Sequence, residues 1–435
     1  MEKRNNNMRM LEESESDRMI LGEGAIFSTD SEKTGINNNA VIVGSSGSGK
    51  TVSLTEPKIL ETRNRNLIVT VTKRRIVEKY APVLRKRGYQ VWDLNFVDPK
   101  AGNVGFDLMD QISAYTDIPH TAKSIVYADK KGNFAMDPYW DKAATSLLSA
   151  EMAYIRETKG EPTFNDLLEF HDNLNFTSRN GLIYTNHDYL FEDLEEKDPS
   201  CYAVRCWKTF HSVPIKTAGC IFSSLNTMLD EVFTPELRSM FTMKKRVNFD
   251  ELATQKTVLF ITTSPVNPAI NTFIAMFYSI AFKRLFELAE KQPDKRLPIP
   301  VDFLADDFAT GGKVDAFQEH ISVFREKGIS TTIMLQSESQ LSSMYGEDGA
   351  QTIINNCDTY VYLGGMDLNT CRNISLKANM PLEDVLYMPV GSEIIFRRGQ
   401  KPIYTERYHT LEDERYRKIT DAYEQHIEKM KNKEH

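Results

Sequence analysis

The sequence contains no run of 18 apolar residues, and no apolar stretch follows its polar start, Met1-Glu-Lys-Arg-Asn-Asn-Asn. The first lack argues against a membrane-spanning helix, the second against a secretory leader. The most apolar segment, Phe273 to Phe282, is closed off by Lys283 and Arg284 and reads as a buried helix. Cysteine is scarce. Five occur in 435 residues, at 201, 206, 220, 357 and 371, with no Cys-x-x-Cys pair. An odd, scattered set fits reduced cytoplasmic thiols better than a disulfide framework or a zinc site. Positive charge is not in excess either, with 53 Lys+Arg against 61 Asp+Glu and a net charge of −8. Such a chain is not a general polycation, so any contact with nucleic acid needs a local basic patch or lumen.

What is present is an ordinary globular composition, 41% hydrophobic and 26% charged, long enough for two or three domains. Apolar strand-like runs stand at 40–43, 67–71 and 90–94, with a helical stretch between the last two that ends at Gly88. After a break they resume at 257–261, 301–305, 330–335 and 359–363, again separated by helical stretches, one over 271–291 and one over 313–327. Strands alternating with helices predict an α/β fold with a mainly parallel sheet covered on both faces. Between 108 and 248 the apolar spacing is helical, which predicts an inserted all-α domain. The expected organisation is a flexible segment 1–20, an α/β domain in two pieces (21–107 and 249–410), the insertion 108–248, and a charged helical tail 411–435. Because the insertion lies between strand-rich blocks, it is expected to be removable without loss of the α/β fold. Its stretch 151–200 holds twelve acids against four bases, so this window alone equals the net charge of the whole chain. Either a solvated helical face or a docking surface for a basic partner accounts for it.

Gly44-Ser45-Ser46-Gly47-Ser48-Gly49-Lys50-Thr51 fits G-x-x-x-x-G-K-[ST] between an apolar strand and a helical stretch. In that context glycines allow backbone N–H groups to converge on phosphates beside a helix N-terminus. Lys50 is expected to reach the β- and γ-phosphates and the Thr51 hydroxyl to ligate magnesium, which implies ATP and Mg²⁺ as cofactors. The matching apolar strand ending in a carboxylate is Val301-Asp-Phe-Leu-Ala-Asp306-Asp307. Asp306 is expected to hold the magnesium, and Asp307 to polarise the attacking water or, on the plainer reading, to be a solvated strand-end carboxylate. Many ATPases carry Glu at that second position. The shorter Asp bears on turnover, not on binding. Asp302 is expected to point to the other face and to be structural.

With these motifs placed, the ordered series that follows resembles the coupling proteins of type IV secretion systems, conjugative DNA-transfer ATPases of the TraG/TraD type. It comprises Glu56-Pro57 after the phosphate loop, Asp137-Pro-Tyr-Trp-Asp-Lys-Ala-Ala-Thr-Ser-Leu-Leu148 and Lys216-Thr-Ala-Gly-Cys-Ile-Phe-Ser-Ser-Leu225. It continues with Asp306-Asp307-Phe308, Phe324-Arg-Glu-Lys-Gly-Ile329, Leu335-Gln-Ser-Glu-Ser-Gln-Leu341, Tyr345-Gly346 and Asn356-Cys357. The resemblance covers roughly residues 22–408.

The resemblance implies a RecA-like motor core, a homo-hexameric ring through which DNA passes, and recruitment of a relaxase–DNA substrate to a transfer channel. It makes Gln336 the sensor of the γ-phosphate, where a turn-forming strand-end residue is the alternative. It makes Arg325 an arginine finger donated across a subunit interface, where a helix-end arginine facing the dipole is the alternative. Arg372 is a weaker candidate for that role. The implied partners are relaxase and accessory proteins, single- or double-stranded DNA bound without sequence preference, and a membrane-anchored channel protein.

Two departures stand out. Family members usually begin with a membrane-spanning hairpin, and none is seen here; either the sequence is a trimmed piece, or this is a variant that docks on a separate membrane partner, which Met1 and the polar start slightly favour. That places the protein in the cytoplasm at the inner face of the membrane, a ring when assembled or a monomer in isolation. The family's Asp-Pro-Lys-Gly-like turn is replaced by Thr70-Val71-Thr72-Lys73-Arg74. Two other functions stay open: another ring-forming DNA-translocating ATPase of the superfamily, or a slow nucleotide-gated adaptor for protein cargo.

Overall fold

The computed structural model describes residues 16–128, 138–179, 182–264, 266–306, 308 and 312–432. Thirteen strands occur among them. They are β1 (Arg18–Gly22), β2 (Ala25–Ser28), β3 (Ala40–Val43), β4 (Asn66–Val71), β5 (Gln90–Asn95), β6 (Phe176–Arg179), β7 (Leu182–Thr185), β8 (Thr257–Thr262), β9 (Val301–Ala305), β10 (Ile329–Leu335), β11 (Thr359–Tyr362), β12 (Ser392–Arg397) and β13 (Ile403–Glu406). Nine of them form one sheet in the order β13-β12-β11-β3-β10-β9-β4-β8-β5. From β11 through β5 every neighbour is parallel, and β12 and β13 add an antiparallel edge. The phosphate-loop strand β3 lies inside the sheet, between β10 and β11.

The central strands are apolar on both faces because both are covered. Val41, Ile68, Phe303 and Ile333 face the long helix Pro268–Glu290, whose stretch Phe273–Phe282 is wholly buried as its composition predicts. Ile42, Leu67, Leu304 and Met334 face the helices Glu56–Glu61 and Arg75–Lys86, meeting Ile59, Tyr80 and Leu84. The second of those helices ends at Gly88, whose φ of +83° lets the chain turn back into β5.

Several boundaries differ from expectation. Residues 18–20 belong to β1, so the supposedly flexible N-terminal segment 1–20 reaches into ordered structure; its first fifteen residues lie outside the described ones. The β1–β2 hairpin is held by Glu23, whose N–H donates to the Glu406 carbonyl. The segment 108–248 is mainly helical but carries the hairpin β6–β7, whose strands of four residues are too short for a period-2 signal to emerge. The helix expected over 313–327 begins only at Phe317, since Ala316 adopts φ +53°, outside the helical region. The helix of the tail, Glu414–Lys431, is docked: Arg415 pairs with Glu61 at 2.6 Å, and the Lys79 ammonium lies 3.3 Å from the Tyr416 ring centre.

The insertion also shares its core with the sheet domain. Phe233 and Phe241 contact Phe273 of the long helix, with ring centres 5.8 and 6.3 Å apart. Its entry and exit are pinned where the Val247 N–H donates to the Gly105 carbonyl. Removing 108–248 would take Phe233 and Phe241 away from the fully buried Phe273, so the boundary expected to be clean runs through a shared apolar core.

Candidate nucleotide site

Strand β3 ends at Val43, and the chain then loops over the carboxyl ends of its neighbours. The Gly44 N–H donates to the Leu335 carbonyl at the end of β10, and the Ser45 N–H to the Gly364 carbonyl just beyond β11. The loop is therefore tied to the strand on either side. Gly47 and Gly49 have φ of +78° and +92°, which side-chain-bearing residues resist. Beyond Lys50 the chain enters a wide turn, Thr51–Thr55, before the helix Glu56–Glu61. Pro57 has no N–H to offer the Ser53 carbonyl, which suits such a widened turn. Glu56 is buried and accepts bonds from Lys79 and Tyr80, each at 3.0 Å, fixing this helix to the next one.

Lys50 is only 7% exposed, and its ammonium donates to the Gly44 carbonyl at 2.5 Å and the Ser45 carbonyl at 3.2 Å. Ser45, Ser46 and Gly47 are exposed at the lip. The Thr51 hydroxyl donates to Asp306 Oδ2 at 3.0 Å. Asp306 is buried just past β9. Thus the structure joins Gly44–Thr51 and Asp306. A hydroxyl and a carboxylate side by side are the oxygen donors a magnesium ion takes. The loop amides and Lys50 suit phosphates. The residues present therefore fit Mg²⁺-nucleotide.

Asp307 lies outside the described residues. Gln336 follows β10 directly, exposed beside the loop, and its N–H donates to the Gln340 side chain at 2.8 Å. Arg325 is not part of this constellation. It lies in the last turn of the helix Phe317–Lys327, before β10 begins, and donates to the Ser31 carbonyl at 3.2 Å. That is the amino end of the sheet, opposite the phosphate loop, so Arg325 cannot serve the nucleotide of its own chain. Arg372 is exposed on the helix Leu368–Ala378.

Asp302 needs a correction. Residues 302, 304 and 306 alternate onto one face of β9, and Leu304 packs on the side of helix Glu56–Glu61. Asp302 therefore shares the face of Asp306 and differs in lying at the other end of the strand. There it is closed in by Arg65 at 2.6 Å and Lys58 at 3.4 Å, with a bond from the Ser330 hydroxyl. Burial alone would raise its pKa, but the two cations outweigh burial and hold it below the usual carboxylate range.

Sequence reasoning missed Arg407, which donates to the Ser48 carbonyl at 3.0 Å from the far edge of the sheet. Its surroundings, Tyr404-Thr-Glu-Arg-Tyr-His409, carry no motif, and only the fold brings them to the loop.

The family described as type IV secretory system conjugative DNA transfer matches residues 2–378. Solved structures agree in fold. The bacterial conjugative coupling protein TrwBdeltaN70, in a trigonal form with sulphate, is 17% identical with a TM-score of 0.65, over 92% of this chain and 90% of that one. TrwB in complex with the non-hydrolysable ATP analogue ADPNP gives a TM-score of 0.66 at 17% identity, with the same coverage. VirB4 of Thermoanaerobacter pseudethanolicus gives 0.52 at 13% identity, over 90% of this chain and 96% of that one. A comparison with curated protein sequences finds no match.

Proposed function

This chain belongs to the type IV secretory system conjugative DNA transfer family, and we propose that it is the coupling ATPase that brings a relaxase–DNA substrate to the transfer channel. The observation that carries this reading is the meeting of Thr51 and Asp306 at 3.0 Å beside a glycine-turned loop. The two residues stand 255 positions apart in sequence, and a nucleotide–metal site calls for both at one strand end. Solved TrwB complexes with ADPNP and with ADP and Mg²⁺ support the same reading.

Gly44–Thr51 would hold the phosphates, and Thr51 with Asp306 would hold Mg²⁺, which supplies charge neutralisation on the phosphate oxygens. Asp307 is the proposed group that orients the attacking water, and Gln336 the one that reads the terminal phosphate at the loop's rim. The place of Arg325 at the opposite sheet end supports a role only toward a neighbouring subunit, which fits a homo-hexameric ring. Such fingers are worth roughly 10³–10⁵ in rate. The insertion, with its acidic stretch, is the proposed docking face for relaxase or accessory proteins, and basic residues of the ring would track DNA phosphates. A role at a transfer channel would bring the protein to the membrane through a channel partner; among the described residues no helix is long and apolar enough to cross a membrane.

The test is ATP hydrolysis by the wild type and Lys50→Ala, with and without single- and double-stranded DNA. The expected result is DNA-stimulated turnover that Lys50→Ala abolishes. Full turnover in that variant would remove the loop from the mechanism, and hydrolysis indifferent to DNA would favour the protein-cargo adaptor.

A further inference from the structure

The segment running out of β13 crosses the phosphate loop as a strap with its own anchors. The Arg407 N–H donates to the Gly391 carbonyl at 2.8 Å, and the His409 N–H to Glu23 Oε1 at 2.8 Å. The Thr410 hydroxyl donates to the Val52 carbonyl at 2.6 Å, inside the turn that follows the loop. The strap thereby delivers the Arg407 guanidinium to Ser48 and Gly49. Nη1 donates to the Ser48 carbonyl at 3.0 Å, and a Cβ on Gly49 would fall 2.7 Å from the same nitrogen.

We infer that Arg407 is a positioning residue of the nucleotide site, holding the Ser48–Gly49 peptide so that its N–H faces the phosphates. The inference rests on the nucleotide reading of the loop. In a trans peptide the C=O and the N–H lie in one rigid plane and point in opposite directions. A guanidinium gripping the Ser48 oxygen from outside therefore turns the Gly49 N–H inward. A charged donor on the carbonyl also polarises the peptide and strengthens that N–H as a donor to anionic oxygen.

The neighbourhood leaves the guanidinium free to do this. Among the described residues no carboxylate lies within 4 Å of Arg407. An acidic group that acts on it electrostatically, Glu393, is 1% exposed, and neither of its oxygens has a hydrogen-bond partner. Burial pushes the Glu393 carboxyl up to about 9, against the pull of Arg407 and with the help of Glu23, so it is uncharged at neutral pH. An ionised Glu393 would compete for the guanidinium. As an acid, it does not.

The experiment measures ADP binding and steady-state ATP hydrolysis for the wild type, Arg407→Ala, Arg407→Gln, Arg407→Lys and Lys50→Ala, with the melting temperature of each apo protein. Arg407→Ala is expected to weaken ADP binding and raise KM for ATP about tenfold, the value of one charge-assisted hydrogen bond. Its kcat should change less than about threefold. Arg407→Lys should recover most of the affinity, and Arg407→Gln less, because the donor's charge matters. ADP affinity unchanged in Arg407→Ala, or a fall in kcat at constant KM, would overturn the inference. If Arg407→Ala does not fold, the Lys and Gln variants decide, and wild-type affinity in both overturns it. Should Lys50→Ala bind ADP as well as the wild type does, the nucleotide reading of the loop fails, which is a different result from a silent Arg407.

Discussion

Asp302, near the amino end of β9, and Asp306, just past its carboxyl end, carry the same side chain on the same face in opposite settings. Asp302, at the amino end, is enclosed by Arg65 and Lys58, cations that belong to the chain itself. Asp306, at the carboxyl end, faces the Thr51 hydroxyl and a loop of amide donors. At the first end the fold supplies the countercharge permanently, and the carboxylate stabilises structure. At the second the carboxylate sits beside the Thr51 hydroxyl and the phosphate loop, the place where the proposed nucleotide site would take a bound ion. Residue type, burial and face are alike; what surrounds each end sets Asp302 among fixed cations and Asp306 beside the phosphate loop.

The contrast breaks if the two carboxylates respond alike to removal. Asp302→Ala leaves Lys58 buried without its nearest anion and Arg65 with only the more distant Asp17, at 3.8 Å, and the expected loss of unfolding free energy is about 3 kcal/mol. Urea denaturation measures it, and a change no larger than that of an exposed surface substitution would put Asp302 outside the core's ion cluster. Asp306→Asn is expected to leave the urea midpoint nearly unchanged. Its effect belongs in hydrolysis, where the magnesium concentration for half-maximal rate should rise about 10–100-fold. An Asp306→Asn protein that loses stability but keeps its magnesium dependence would exchange the roles of the two ends.

Acid sharpens the comparison. The folded-state pKa of Asp302 is depressed, so its contribution is present above the unfolded value of about 3.9 and is lost as pH falls through the folded one. Wild-type stability should therefore drop steeply below about pH 4, and the drop should be smaller in Asp302→Ala. Thermal melts from pH 3 to 6 follow it.

The smallest effect sets the insertion against the sheet domain. His171 lies buried between Glu151, at 2.8 Å, and the Asn226 side-chain oxygen, at 2.6 Å. Burial opposes its charge, but Glu151 and Asn226 outweigh burial and raise its pKa. A raised histidine stabilises below its unfolded value, about 6.5, and loses that contribution as pH climbs through the folded one. Hydrogen exchange in the helices Pro138–Thr158 and Phe164–Asp172 should quicken on going from pH 6 to 9 beyond the intrinsic rate, while β3 and β9 should not follow. Equal acceleration in both regions would remove His171 as its cause.

Much of the core was legible beforehand because its signals are local. Short apolar or β-branched runs bounded by turn residues read as buried strands, and all seven parallel strands carry that signal. The strands that escaped were those whose neighbours make them strands: β1 and β2 rest on Glu406 through Glu23, and β12 and β13 extend an edge that β11 offers. The loop and Asp306 were found by motif. Arg407 was not, since an arginine becomes part of a phosphate loop only when a strap from 359 residues further along the chain crosses it.

The sequence by itself determined the α/β class, the phosphate loop, the buried helix 273–282 and the ordered motifs of the family, because each is written in adjacent residues through backbone preference, periodicity or spacing. Only the tertiary structure decided the sheet order, the separation of Arg325 from its own chain's loop, the opposite fates of Asp302 and Asp306, and the core that the insertion shares with the sheet. Those depend on which distant segments become neighbours. Burial, countercharge and hydrogen-bond partners exist only once the chain has closed on itself.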